Sequence, residues 1–288
     1  MKITNRLGLP EGFVKACGTE LHNAPGTVSA TTLLKGPKEI MLTKRHWDEL
    51  EDDVADRIWA IFGSAVHSIL EIETPDTFVE ESVSTEVDKL IVTGRVDCYD
   101  PNNGVLYDYK TASVWKVIYS DFEDWKKQGL IYSWLLMKNG FDVKRCRFVA
   151  MLKDHSKSKA KFDAGYPQSP VFVYEFDVTA EDLAEIETFI VAKVKEIEQV
   201  EELADDDIPP CSENERWAKP TTYAVMKPGR KTALKVLGIK AEAEKMAEEQ
   251  GNGCYVEERQ GTDGKCPEYC GCCEFCHYWK AKYGGGEK

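Results

Sequence analysis

The chain has 288 residues, 42% of them hydrophobic and 30% charged, with 12 prolines, 21 glycines and ten cysteines. That composition excludes collagen-like and wholly disordered chains, and a chain this long buries about three quarters of its unfolded surface without needing disulfides. Its formal charge of −13 is uneven: residues 181–207 hold 11 acids against Lys193 and Lys195, so the acidity does not exclude a nucleic-acid partner.

Residues 1–26 are punctuated by glycine and proline and read as an irregular lead-in. Residues 27–42 read as a short helical segment broken at Gly36-Pro37. A helix is predicted over 53–72, with Trp59, Phe62, Val66 and Ile69 recurring on one face. Strands follow over 77–87, 90–99 and 105–111, the last two joined by the turn cluster 100–104. Ser120 and Glu123 suggest a capping box for a helix that runs to Lys138 and ends at Asn139-Gly140. Two more strands, 145–152 and 171–178, are joined by a lysine-rich loop. An amphipathic helix over 180–203 places Leu183, Ile186, Ile190, Val194 and Ile197 on one stripe.

Residues 205–210 read as an acidic, proline-containing linker. Beyond it, strands at 222–227 and 234–239, a helix at 241–250 and a strand at 255–259 make a ββαβ unit. Its apolar residues, chiefly Val225, Leu234, Val236, Leu237 and Val256, are few for a core. The expected architecture is therefore α/β (α+β). A domain over 1–204 has a mixed central sheet flanked by helices, and a small cysteine-rich module covers 211–288. No apolar run approaches the roughly 20 residues of a membrane-spanning helix. Met1 to Arg6 lack the apolar core of a signal peptide, so the chain reads as cytoplasmic.

Four features occur in order: His67 on the first long helix, Gly94 and Asp97 in one strand, Asp108-Tyr109-Lys110 in the next, and Gln128 with Tyr132 on the following helix. Strand side chains alternate, so Asp108 and Lys110 share a face and Tyr107 and Tyr109 take the other. If Asn103-Gly104 is a two-residue turn, Asp97 faces Lys110 with Asp108 diagonal to it. Two adjacent carboxylates favour a divalent cation, and oxygen ligands favour Mg²⁺ or Mn²⁺. A lysine beside them suits a water or the charge on a phosphate. Gly63, His67 and Glu71 share a helical stripe, where Gly63 leaves room before an imidazole that adds a nitrogen ligand. Gln128 and Tyr132 lie at i, i+4 and point the same way. Taken singly, each feature has a plainer meaning: a packed histidine, a polar strand edge, a turn glycine, a solvated helix face. Their order and spacing change that.

The pattern resembles the RecB-like branch of the PD-(D/E)XK nuclease superfamily, in the form found in phage-encoded exonucleases. The resemblance implies that His67, Asp97, Asp108 and the Tyr109 carbonyl hold Mg²⁺ or Mn²⁺. It implies that Lys110 positions the attacking water and that Gln128 and Tyr132 contact the DNA backbone or assist the site. The implied activity is metal-dependent DNA exonuclease cleavage in end processing for recombination, repair or phage replication. The implied partners are DNA ends and a single-strand-annealing recombination protein, in a bacterial or phage-infected cell. A catalytically silent DNA-binding scaffold of the same fold is the alternative.

Cys266, Cys270, Cys272, Cys273 and Cys276 crowd into eleven residues, a spacing more typical of a metal site than of disulfides in a reducing compartment. Several nucleases of the resembled branch carry a four-cysteine iron–sulfur staple, and Cys266, Cys270 and Cys276 fit its last three ligands. Gly36 stands where its first cysteine is expected. Cys211, Cys17, Cys272 and Cys273 are the candidates for the fourth, with a 4Fe–4S cluster or Zn²⁺ as the metal. Lys153, Lys157, Lys159 and Lys161, with Lys227, Arg230 and Lys231 on the small hairpin, suit DNA phosphates or a solvated loop equally well. Trp115, Trp125 and Trp134 read as core residues.

Overall fold

A computed structural model describes residues 1–18, 24–70, 72 and 77–284. Glu71 lies outside the described residues. The chain divides into two units, Met1–Ile208 and Pro209–Lys288.

The first unit is built on a six-stranded mixed sheet with helices packed on it. Its pivotal strand is Leu90–Asp100. The strand Phe78–Val87 pairs antiparallel along nearly all of one edge. The other edge is shared: Thr27–Ser29 pairs parallel with Ile91 to Thr93, and Val105–Ala112 pairs antiparallel with Cys98 to Asp100. Residues 94–97 are therefore left without a ladder partner on that edge. Arg145–Leu152 then joins Val105–Ala112 in parallel, and Val171–Asp177 closes the sheet antiparallel.

The helices follow from their sequence patterns. Thr179 and Asp182 form a capping box that opens the helix Ala180–Val200, whose Ile186, Ile190, Val194 and Ile197 are buried. The helix Glu123–Lys138 buries Trp125, Ile131, Trp134, Leu135 and Leu136. It ends in a Schellman turn, with the Phe141 N–H donating to the Leu136 carbonyl, the Gly140 N–H to that of Met137, and Gly140 at φ 88°.

Several expectations need correction. Residues 27–42 hold a strand, a single 3₁₀ turn and the helix Pro37–Arg45, which starts at Gly36-Pro37 instead of breaking there. The 53–72 helix spans only Ile58–Leu70 and buries none of its residues; Trp59, Phe62 and Ile69 are exposed. Ser120 does not cap the helix that follows it; its hydroxyl donates to the Val117 carbonyl of the preceding helix at 3.3 Å. The residue sits at φ 50°, and the helix start at Phe122 has no side-chain cap. Ser113 instead caps a short helix, Val114–Ile118, and Trp115 on it is exposed, unlike Trp125 and Trp134. The lysine-rich loop contains the helix Lys157–Phe162. In the stretch read as a linker, Ile208 is buried and Lys38 Nζ donates to the carbonyls of Asp205 and Ile208 at 2.8 and 2.7 Å. Its first half is thus anchored to the first unit.

In the second unit Thr222–Met226 lies between Lys235–Leu237 and Tyr255–Arg259, all antiparallel. The helix Lys240–Gln250 packs Ala243 and Ala247 beside Val225. Val236 is exposed and does not join this core. A second element ties the unit together: Asp263, wholly buried, takes contacts from Arg216 Nε at 3.1 Å, Lys282 Nζ at 2.8 Å, and the Tyr278 and Tyr283 hydroxyls at 2.9 and 3.1 Å.

Gly94 stands at the start of the unpaired stretch, and a Cβ there would lie 2.8 Å from Leu135 Cδ1 and 2.9 Å from the Tyr132 ring. A rigid aromatic cannot yield without moving the helix. Gly94→Ala is expected to destabilise the chain by about 1–3 kcal/mol, read as a lower urea midpoint. An unchanged midpoint would show that the helix and strand do not need this close approach.

Candidate active site

The site lies where the sheet opens. The turn after Asp100 spans 101–104, held by Asp100 Oδ1 accepting from the Asn102 and Asn103 N–H groups at 2.9 and 3.3 Å. Pairing therefore starts at Asp100↔Val105, not across a two-residue Asn103-Gly104 turn. The register is slipped by two from expectation, so side chains keep their faces, but Asp97 falls opposite Asp108 instead of Lys110. Laddering stops at Cys98↔Tyr107. The next donor, the Tyr109 N–H, is taken by Asp97 Oδ2 at 2.7 Å. A side-chain carboxylate thus replaces a strand at the fork.

The other oxygen of Asp97 lies 3.4 Å from His67 Nδ1. Hydrogen bonding to Asp97 holds the His67 imidazole above its ordinary pKa, against the opposing effect of burial. The Tyr109 ring stands edge-on to His67, centroids 6.5 Å apart. On the facing side, Lys110 Nζ lies 2.6 Å from Asp108 Oδ1 and donates to Gln128 Oε1 at 3.0 Å, and Gln128 Nε2 donates to the Tyr132 hydroxyl at 3.4 Å. Burial, foremost, pushes the Asp108 carboxyl up to about 6; Lys110 opposes this and the Asp97 charge adds to it. Tyr132 is pushed up to about 12, chiefly by burial. The structure therefore brings together His67, Asp97, Asp108, Lys110, Gln128 and Tyr132. Gly63 faces Thr111, with 3.6 Å to its Oγ1 from an added Cβ, so the room it leaves is toward the strand.

Sequence reasoning missed Glu80. It lies between the paired Val79↔Cys98 and Glu81↔Val96, directly across from Asp97, at φ 51°. A left-handed glutamate inside a strand costs on the order of 1–3 kcal/mol, strain of a kind that clusters at functional sites. Strand alternation gives no sign of it, because its side chain follows the distorted backbone and not the pleat. Glu80 forms an ion pair with Arg95. His67, Glu80 and Asp97 offer donor atoms all within 4.8 Å of one another. Asp108 Oδ1 is buried and accepts no hydrogen bond of good geometry; its partner is the Lys110 ion pair. One nitrogen and the carboxylate oxygens of Glu80 and Asp97 fit a divalent cation.

Elsewhere the candidates separate. None of the ten cysteines is in a disulfide. The Cys266 thiol is pushed up to about 12, first by burial and then by Cys270, Asp263, Cys211 and Cys276, so these four cysteines lie together. Cys270 and Cys272 sulfurs are 3.7 Å apart, and Cys272 and Cys273 are buried. Cys17 belongs to the first unit, its thiol 3.8 Å from the Val54 carbonyl. Lys153 Nζ sits 4.0 Å from the Trp59 ring centroid. Lys157, Lys159 and Lys161 lie on one short helix, and Lys227, Arg230 and Lys231 are exposed in the second unit.

No protein-family model and no curated protein matches the chain. Among solved structures it is similar to SSO0001, with TM-score 0.47 and 17% identity over 66% of this chain and 85% of that one. It is also similar to an alkaline exonuclease from Laribacter hongkongensis, with TM-score 0.38 and 13% identity over 67% of this chain and 95% of the other. A phage-related exonuclease from Haemophilus somnus matches with TM-score 0.31 and 13% identity over 58% and 73%.

The geometry makes metal binding separable from catalysis. Mn²⁺ titrated into the full chain and followed by electron paramagnetic resonance is expected to bind, and Glu80→Gln to weaken that binding on the order of ten-fold or more. Unchanged affinity in Glu80→Gln would remove Glu80 from the site.

Proposed function

We propose that the chain is a divalent-metal-dependent deoxyribonuclease that works from DNA ends, in recombination, repair or phage replication. The observation that carries this reading is the Asp108–Lys110–Gln128 chain, set beside Asp97 and His67 at the fork of the sheet. His67, Asp97, Asp108 and the Tyr109 carbonyl, joined by Glu80, are the ligands in this reading. Mg²⁺ or Mn²⁺ held there supplies Lewis-acid polarisation of a phosphoryl oxygen and a more acidic water. Lys110, fixed between Asp108 and Gln128, holds a water against the phosphorus and offsets charge on the phosphoryl oxygens. Gln128 keeps the lysine in line, and Tyr132 keeps Gln128 in line. His67 would ligate through its neutral imidazole, which would have to give up any proton shared with Asp97.

In the second unit the same reading assigns a metal to Cys211, Cys266, Cys270 and Cys276. Soft thiolates suit both a 4Fe–4S cluster and Zn²⁺, and the resemblance to the iron–sulfur nucleases of the branch favours the cluster.

Asp108→Ala and Lys110→Ala are each expected to lower cleavage of linear DNA by roughly 10²–10³-fold or more, with DNA binding retained, and EDTA is expected to stop the wild-type chain. If wild-type protein binds DNA but does not cleave it with Mg²⁺ or Mn²⁺, the chain is a silent scaffold. Separately, anaerobically purified protein is expected to contain about four irons per chain, and Cys266→Ser to lose them and expose 209–288 to protease. Stoichiometric zinc would replace the cluster with the other metal, and a folded chain with neither would remove the site.

A further inference from the structure

We propose that a cleft at the carboxy-terminal ends of Val105–Ala112 and Arg145–Leu152 is a platform on which bases of single-stranded DNA stack. This rests on the nuclease reading and extends it to how the strand is held. The two strands are parallel neighbours, with Ala112 beside Leu152, so the segments that leave them emerge side by side. One becomes the helix Val114–Ile118 and the other leads to the helix Lys157–Phe162. Between them opens a cleft of ≈ 620 Å³, lined by Trp115, Ile118, Lys159, Phe162 and Tyr166 among others.

Its walls are fixed. Asp154 accepts from the Ser113 hydroxyl at 2.6 Å and the Val114 N–H at 2.8 Å, tying the first helix to the second strand. The Tyr166 hydroxyl accepts from the Ser156 N–H at 2.9 Å and donates to the Asp154 carbonyl at 3.3 Å. On this rigid base the aromatics face solvent. Trp115 and Tyr119 stack at 5.8 Å and 24° while 53% and 72% exposed, and Phe162 is 90% exposed. Large aromatics bury apolar area wherever packing allows. Trp115 and Phe162 line the cleft and Tyr119 stacks on Trp115, so flat aromatic faces are left open to a ligand.

The charge around them selects the ligand. Lys159 lines the cleft beside Asp163, and Lys157 and Lys161 are exposed on the same short helix. Open aromatic faces with lysines nearby suit bases and phosphates of a single strand, where stacking is indifferent to sequence. An apolar peptide would gain nothing from the lysines. The position also fits: Ala112 lies two residues past Lys110, about 7 Å along a strand. A strand with its scissile phosphate at Lys110 has its flanking nucleotides within reach of the cleft.

The test uses the full chain in EDTA, which prevents cleavage, and a short fluorescein-labelled single-stranded oligonucleotide followed by anisotropy. Trp115→Ala and Phe162→Ala are each expected to weaken binding roughly ten-fold, and Trp115→Phe to restore most of it. An oligonucleotide with abasic sites is expected to bind wild type as weakly as the intact one binds the variants, with no further loss in the variants. Equal affinity for intact and abasic strands, or unchanged affinity in both alanine variants, overturns the proposal. So does a dimer in sedimentation that Phe162→Ala dissolves while DNA binding stays unchanged, which would give the cleft to a second copy. Base-dependent binding without any Mg²⁺- or Mn²⁺-dependent cleavage would sink the nuclease reading and leave the platform standing.

Discussion

The first unit depends on one substitution of partners: Asp97 Oδ2 takes the Tyr109 N–H that a continuous ladder would have given to a backbone carbonyl. Leu90–Asp100 shares its free edge between two strands, and residues 94–97 fall in the space between. Buried backbone groups must be paired, so something has to fill that space. The Asp97 carboxylate enters that space and takes the Tyr109 N–H, while the helix Glu123–Lys138 packs Tyr132 and Leu135 over the sheet face at Gly94. Opening the sheet brings in the helix that carries Gln128 and aims Asp97 at His67. The site and the irregularity of the sheet are therefore one feature.

Charge balance at the fork follows from the same geometry. Glu80, Asp97 and Asp108 are met by Arg95, His67 and Lys110. A set of carboxylates this close repels unless cations sit among them. The partners differ in how they yield. Arg95 is exposed and His67 can lose its proton, so both can give way to a cation. Lys110 is held from a second side by Gln128 and stays. The two ends of the site thus suit different tasks, ligation at His67, Glu80 and Asp97, and charge compensation at Lys110.

Much of this was legible in the sequence, and the failures share a cause. The strands, the long helices and the His67, Asp97, Asp108–Lys110 and Gln128–Tyr132 set follow from periodicity and spacing, because each is a local pattern. The two-residue slip at 100–104 was not legible, since Asp100 accepting from Asn102 and Asn103 makes a longer turn that uses the same residue types. Because the slip is even, the face assignments survived it. Glu80 was invisible because its φ of 51° breaks the alternation on which strand reading depends. Trp115 reads as core because it is large and apolar, and Trp59, Phe62 and Ile69 read as one face of a helix, yet all four are exposed. Periodicity shows which residues share a face and is silent on whether anything covers it.

Three buried aspartates show how the site differs from the scaffold. Asp53 accepts from the Arg6 and Ala55 N–H groups and the Thr4 hydroxyl, and these bonds hold its carboxyl below the ordinary range. Asp263 is also held low, despite burial, by Lys282, Tyr278, Arg216 and Tyr283. Asp53 gathers backbone N–H groups and Asp263 gathers side chains around an ion met by three or four donors, which specifies geometry more than it adds stability. Asp108 is buried as deeply but is pushed up instead, because burial outweighs Lys110 and Asp97 stands opposite. Asp108 has the single lysine at 2.6 Å where the other two have three or four donors, and in the proposed reading a cation beside it would offset the Asp97 charge.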